Sequence, residues 1–203
     1  MIAIIDYGMG NLASVKNAFL KLGYEAMTTS RPEEILKAEK VVLPGVGAFG
    51  DAIGNIRKLG IDQVIFEVVE RETPLLGICL GLQMLFTESD ENGIHKGLDI
   101  IPGRVEKFQI PSQYKVPQIG WNSIQINPAS RFLAGIPTGS YFYFVHSYYV
   151  VPEDEAVVAA RTDYGVSFVS AIEKGKIFAA QFHPEKSSEL GLKILKNFGE
   201  MPT

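Results

Sequence analysis

Leu75-Leu76-Gly77-Ile78-Cys79-Leu80-Gly81-Leu82-Gln83 is an apolar run that passes through two glycines flanking the only cysteine of the chain. Residues 75–78 read as a short strand buried on both faces, and a helix is predicted to start near Leu80. Gly77-x-Cys79-x-Gly81 has the form of a nucleophile elbow, in which small residues let a strand and the following helix approach closely around a sharp turn. The side chain at the apex is then held out of the core.

Working outward, Ile2 to Ile5 is a second buried-strand run, ending in Asp6-Tyr7-Gly8-Met9-Gly10-Asn11. Asn11 is placed to cap a helix in which Leu12, Val15, Phe19 and Leu22 recur at helical spacing, and Gly23 sits where that helix stops. The pattern repeats through a strand over residues 24–27, a short helix from Pro32, a strand over 40–43, a helix beginning near Ala48 and another over 62–70. Such alternation predicts a mostly parallel central sheet flanked by helices, an α/β fold. From about Val105 the rhythm changes. Strand-like runs at 105–110, 118–126, 140–150, 156–161, 166–173 and 176–182 follow one another without helices, so antiparallel strands are expected in the second half. A closing helix, capped by Ser187 or Ser188, buries Leu190, Ile194, Leu195 and Phe198. With no linker, repeat or low-complexity tract, residues 1–203 read as one domain.

Composition narrows the function. The 203 residues are 46% hydrophobic and 21% charged, ordinary proportions for a folded chain. Lys and Arg number 19 against 23 Asp and Glu, a net charge of −4 and a pI near 5.5. There is no basic surplus to neutralise phosphates, so nucleic acid is not an expected partner. The longest apolar window, residues 75–86, is shorter than the ~20 residues of a membrane span, and the start lacks the basic region of a signal peptide. A lone cysteine forms no internal disulfide, which points to a reducing, cytoplasmic compartment.

A lone free cysteine is commonly a small buried hydrophobe; the flanking glycines and the strand-to-helix setting favour a nucleophile at Cys79, where nearby N–H groups support the thiolate. Of the three histidines, His183 stands in Gln181-Phe182-His183-Pro184-Glu185, where the proline ends a strand. In extended backbone residues 183 and 185 project to one side, so Glu185 can orient the imidazole. His146 follows the aromatic run 141–145 and is either structural or at the pocket edge; a Cys79–His146 dyad is the internal rival but lacks a nearby acid. His95 lies in a polar stretch and is expected to be solvated. The spacing of these residues matches no zinc pattern, and neither metal nor cofactor is expected. Pro44-Gly45-Val46-Gly47 follows a strand and precedes a helix. Its glycines can expose backbone N–H groups as an oxyanion hole requires, with the N–H of Leu80 as second donor. It lacks the Gly-Lys-Ser/Thr of a phosphate-binding loop.

Gly77-Ile78-Cys79-Leu80-Gly81-Leu82-Gln83 together with His183-Pro184-Glu185 resembles the class I, triad-type glutamine amidotransferases. Asp6–Leu12, Pro44–Phe49, Gly120–Asn122, Tyr143–Tyr148 and His183–Ser187 resemble one branch of that family, which serves histidine biosynthesis. The resemblance implies a parallel sheet flanked by helices and hydrolysis of glutamine to glutamate and ammonia. It also implies delivery of the ammonia to a separate cyclase chain, a (β/α)8 barrel; this chain has room for neither that barrel nor an ATP-using domain. Cys79 would attack the side-chain amide, His183 would act as acid and then base, and Glu185 would hold the ring. Val46 or Gly47 and Leu80 would stabilise the oxyanion, and Gln83, Glu91, Ser147 and Tyr148 would hold the substrate. Asn11, Trp121, Tyr143 and Lys186 fall on positions resembling the docking face, and the same residues would serve as core aromatics and surface polars in an undocked protein. A glutaminase for another synthase, a partner-independent cysteine hydrolase and a non-catalytic scaffold remain rivals at this stage.

Overall fold

The computed structural model describes residues 1–203. The first half alternates as expected: β1 (Ile2–Ile5), α1 (Leu12–Lys21), β2 (Ala26–Thr29), α2 (Pro32–Lys37), β3 (Lys40–Gly45), α3 (Phe49–Lys58), α4 (Ile61–Glu70), β4 (Leu75–Cys79) and α5 (Leu80–Met84). The second half holds β5 (Phe86–Ser89), β6 (His95–Lys96), β7 (Ile101–Lys107), β8 (Gln118–Ser123), β9 (Gln125–Ile126), β10 (Tyr141–His146) and β11 (Tyr148–Pro152). It continues with β12 (Val158–Asp163), β13 (Ser167–Lys174) and β14 (Ile177–Ala180), and α6 (Ser188–Glu200) closes the chain.

The main sheet runs β2-β1-β3-β4-β14-β13-β11-β7-β5-β6. Its first five strands are parallel, and β13, β11 and β7 continue it antiparallel. All residues of β1, β3 and β4 are buried, because helices cover both faces. One core packs α3, α4 and α5 against one face, with Phe49, Ile56, Ile65 and Leu82 at its centre. The other packs α1 and α6 through Val15, Phe19, Leu195 and Phe198, together with the aromatic residues Phe142, Phe144 and Phe168. No helix is long and apolar enough to cross a membrane.

Three expectations are corrected. The 140–150 run breaks at Ser147: β10 pairs only with β8, in a separate two-stranded sheet, whereas β11 joins the main sheet. The 118–126 run likewise divides, since β9 turns away to pair with β12. Continuous apolar character marks a strand but does not choose its partner. The helix after Cys79 starts at Leu80 as expected and lasts five residues before the chain re-enters the sheet as β5, so it contributes local N–H groups and no long macrodipole. His95 is not a solvated loop residue. It is half-buried in β6, paired with β5, and its ring lies so near Gly50 that a Cβ there would meet Cε1 at 2.8 Å.

Candidate active site

The carboxyl ends of β3, β4 and β14 meet at one cavity of about 350 Å3. At its base Cys79 has φ +55° and ψ −109°, a conformation that costs a side-chain-bearing residue roughly 1–3 kcal/mol and is held by what surrounds it. The glycines explain how. A Cβ on Gly81 would lie 1.8 Å from the Leu43 carbonyl oxygen, and one on Gly77 3.0 Å from Ala179 Cβ and from the backbone of Gly81. Any larger residue would push the elbow off the sheet.

Parallel pairing of β3 with β4 sets Gly45 opposite Cys79, which delivers Val46 and Gly47 beside the thiol. The two ends of this loop are pinned. The Tyr7 hydroxyl donates to the Pro44 carbonyl at 2.9 Å; burial, and then the charge of Cys79, hold the phenol protonated well above its usual range. At the other end α3 lacks a capping side chain of its own, and Glu91 supplies one by accepting from the Phe49 N–H at 2.7 Å. Between these pins Val46 and Gly47 are exposed, and Gly47 has φ +95°.

His183 and Glu185 form a buried pair, with side chains 2% and 1% exposed and Nδ1 2.8 Å from Oε1. His183 Nε2 is buried with no hydrogen-bond partner. Burial alone would lower the ring's pKa, but the neighbouring Cys79 sulfur and the bonded Glu185 carboxylate outweigh it and raise the pKa to about 9. Because the folded value exceeds the ordinary 6.5, the pair's contribution to stability is complete below about pH 6.5 and is lost as the pH rises through about 9. Glu185→Gln is expected to reduce that fall in urea-denaturation stability between pH 6.5 and 9, to lower the His183 midpoint in an NMR titration, and to weaken turnover about 10- to 100-fold without abolishing it. An unmoved His183 midpoint would contradict this account of the pair.

The peptide after His183 is braced by Ser187, whose hydroxyl donates to the His183 carbonyl at 2.6 Å and accepts from the Tyr143 N–H at 3.0 Å. Ser187 precedes α6 as expected but makes no side-chain cap; its hydroxyl is committed to the His183–Lys186 turn. Gln83 donates both amide hydrogens inward, to the Tyr148 carbonyl and to Gln181 Oε1, each at 3.0 Å. Only its carbonyl oxygen is left to meet a ligand, as an acceptor. Glu91 lines the cavity with Oε2 already engaged on Phe49, so one carboxylate oxygen remains for a cation.

Val46, Gly47, Cys79, Leu80 and Gln83 all line this cavity, as do Glu91, Ser147, Tyr148 and His183. Glu185 stands behind His183. His146 also lines it, but as a fixed element: Nδ1 lies 2.8 Å from the Tyr148 carbonyl and Nε2 3.1 Å from Gln118, and burial lowers its pKa to about 4. It is neutral and fully engaged, which removes it as a rival base. Sequence reasoning missed Tyr7 and Gln181, although Gln181 directly follows β14, next to the elbow strand, and Tyr7 lies two residues beyond the end of β1. No group of three His, Cys, Asp or Glu side chains is arranged to hold a metal ion.

Beside the cavity, Trp121 and Tyr143 stack edge-to-face at 6.3 Å and the Lys186 ammonium lies 5.8 Å from the Tyr143 ring centre. Asn11 caps α1 by accepting from the Ser14 N–H at 3.4 Å, and α1 packs on the 184–186 turn. Trp121 is 51% exposed, alongside exposed Ile119 and Tyr141 on the two-stranded β8–β10 sheet.

The family described as "Glutamine amidotransferase class-I" matches residues 3–201. "Imidazole glycerol phosphate synthase subunit HisH" of Moorella thermoacetica is 54% identical over 200 residues, 98% of this chain and 94% of that one. The protein of the same name from Syntrophotalea carbinolica is 53% identical over 206 residues, covering 99% and 100%. Among solved structures, "Structure of PurLQS from Thermotoga maritima" superposes with a TM-score of 0.76 at 20% identity, covering 97% of this chain and 96% of that one. "Crystal structure of glutamine amidotransferase" does so with a TM-score of 0.73 at 22% identity, covering 98% and 100%; at these identities the likeness concerns the fold.

Proposed function

The chain belongs to the class I glutamine amidotransferases, and from that premise we infer how its cavity works and what it serves. It is a glutamine-hydrolysing enzyme, the glutaminase subunit of imidazole glycerol phosphate synthase in histidine biosynthesis. The observation that carries this is identity of about half the residues, over nearly the whole length, with subunits of that synthase. Glutamine is its substrate and the cyclase subunit its partner. We read the whole chain as one glutaminase domain, place it in the cytoplasm in keeping with its single unpaired thiol, and take the cyclase to be a (β/α)8 barrel.

The residue roles follow from the geometry. Cys79 passes its proton to His183 Nε2 and attacks the side-chain carbonyl carbon of glutamine. The oxyanion is received by the N–H groups of Val46 or Gly47 and Leu80. His183 protonates the nitrogen as the C–N bond breaks, ammonia leaves, and a glutamyl thioester remains on Cys79. Water then gives a proton to His183 and attacks the thioester, and glutamate is released as the sulfur recovers its charge. Gln83 accepts from the substrate, Glu91 takes its ammonium, and the backbone at Ser147 and Tyr148 receives its amino-acid end.

Free ammonia is largely protonated near neutral pH and is then no nucleophile, so release next to the docked cyclase preserves its reactivity. The exposed face at Trp121, Tyr143, Lys186 and Asn11 lies beside the cavity and supports docking there. The deciding experiment supplies amide-15N glutamine to the chain and the cyclase together with the cyclase's own substrate. Label entering imidazole glycerol phosphate, alongside formation of aminoimidazole carboxamide ribotide, is the expected result. Glutamine hydrolysis with no label in the product, or transfer only with a different synthase, would overturn the reading.

A further inference from the structure

The sulfur has one more polar neighbour. Gln181 directly follows β14, whose Ala180 pairs with Ile78 of β4, so the next residue along each strand brings Gln181 beside Cys79. Its side chain is fully buried, with Nε2 3.6 Å from Cys79 Sγ and Oε1 3.0 Å from Gln83 Nε2.

A side-chain amide can present either end, so its direction has to follow from its partners. The Tyr148 carbonyl can only accept. Gln83 meets it at 3.0 Å and must turn its NH2 group there. The second hydrogen of that NH2 points at Gln181, which therefore offers Gln83 its carbonyl oxygen and the sulfur its NH2. One backbone carbonyl thus orients two amides in series. The same carbonyl receives His146 Nδ1 at 2.8 Å, which fills its second lone pair and anchors the series. A thiol proton could reach the Val145 carbonyl at 4.0 Å, whereas only a donor such as the Gln181 N–H stabilises the sulfur once it is charged.

We propose that Gln181 is a further catalytic residue, donating a side-chain N–H to Cys79 sulfur in the thiolate and again when that sulfur departs from the glutamyl thioester. The first half concerns the thiol alone; the second rests on the glutaminase reading above. When the thiol ionises its proton passes to His183 Nε2, whose other nitrogen faces Glu185. Both partners of the charged sulfur are then donors, the imidazolium on one side and the Gln181 amide on the other.

Because Cys79 is the only cysteine, alkylation of the intact chain by iodoacetamide reads one thiol, with the cyclase present or absent. Gln181→Met fills the same space, keeps a weak acceptor for Gln83 and lacks the N–H. The alkylation midpoint is expected to rise by about one pH unit, a roughly tenfold loss of thiolate at lower pH, and glutamine turnover with the cyclase to fall by about the same factor. A folded variant with the wild-type midpoint would overturn the proposal. Should the variant not fold, the Gln181 side-chain amide signals of 15N-labelled wild type decide: they are expected to titrate with the Cys79 midpoint, and invariance overturns the assignment. Alkylation requires no glutamine. An unchanged midpoint beside normal glutamine hydrolysis defeats this inference alone, while absence of hydrolysis in the wild-type complex defeats the glutaminase reading.

Discussion

Cys79→Ala is expected to abolish glutamine-dependent synthesis by the complex, by at least about 10⁴-fold, and to leave ammonia-dependent synthesis at the wild-type rate. The first effect follows because no other side chain in the cavity can form the thioester: Gln83, Ser147 and Tyr148 lack an adjacent base, while His183 faces the sulfur. The second follows from packing. Alanine keeps the Cβ that already sits at φ +55°, so the elbow gains no new backbone strain and the docking face is untouched. Parallel assays with glutamine and with ammonium salts, using the same purified complex, make the measurement. Glutamine-dependent turnover above about one hundredth of wild type would remove Cys79 as nucleophile. Loss of both activities would mean that the alanine disturbs folding or docking, and would contradict the packing argument.

Gly47→Ala is expected to cut cyclase-stimulated glutamine turnover about 10²–10³-fold, the cost of losing one oxyanion donor in a comparable hydrolase. At φ +95° an added Cβ is strained whatever the space, and it would also stand 2.7 Å from Met9 Cε. The methionine end can yield; the backbone angle cannot. The structure also shows why strain here acts on the rate more than on the fold. Tyr7 holds the loop at the Pro44 carbonyl and Glu91 holds it at the Phe49 N–H, so the exposed stretch between them is the part free to turn a peptide. We expect that turning to present the donor when the loaded cyclase docks. Steady-state kinetics with and without cyclase ligand test this, with Val46→Ala as the comparison that changes a side chain while keeping the backbone N–H. Equal stimulated turnover in Gly47→Ala and wild type would end the gating account.

The elbow, the alternating first half and the closing helix were legible in the sequence because their signals are local. Glycine spacing around Cys79, four-residue apolar runs at β1 and β4, and helical periodicity at Val15 and Phe19 depend on near neighbours. His183 and Glu185 are also close in sequence, but the chain between them is a tight helical turn over 184–186 and not the extended stretch expected, and it is that turn that brings Nδ1 and Oε1 together. The division at Ser147 was not legible: residues 140–150 are uniformly strand-like, and whether β10 and β11 share a sheet depends on partners 18 to 49 residues away. Glu91 enters the sequence reading only through the family resemblance, and its bond to Phe49 crosses 42 residues, while Tyr7 reaches Pro44 across 37.

By itself, then, the order of residues determined that a thiol stands at a strand-to-helix bend within a helix-flanked sheet, with an imidazole and a carboxylate available to serve it. Only the tertiary structure decided which histidine meets the thiol, that His146 is buried neutral and committed elsewhere, and that Gln181 turns its N–H toward the sulfur. The reason is physical: strand and helix propensities act over a few residues, whereas the direction of an amide or the charge on an imidazole is set by whatever the folded chain has brought within about 3 Å of it.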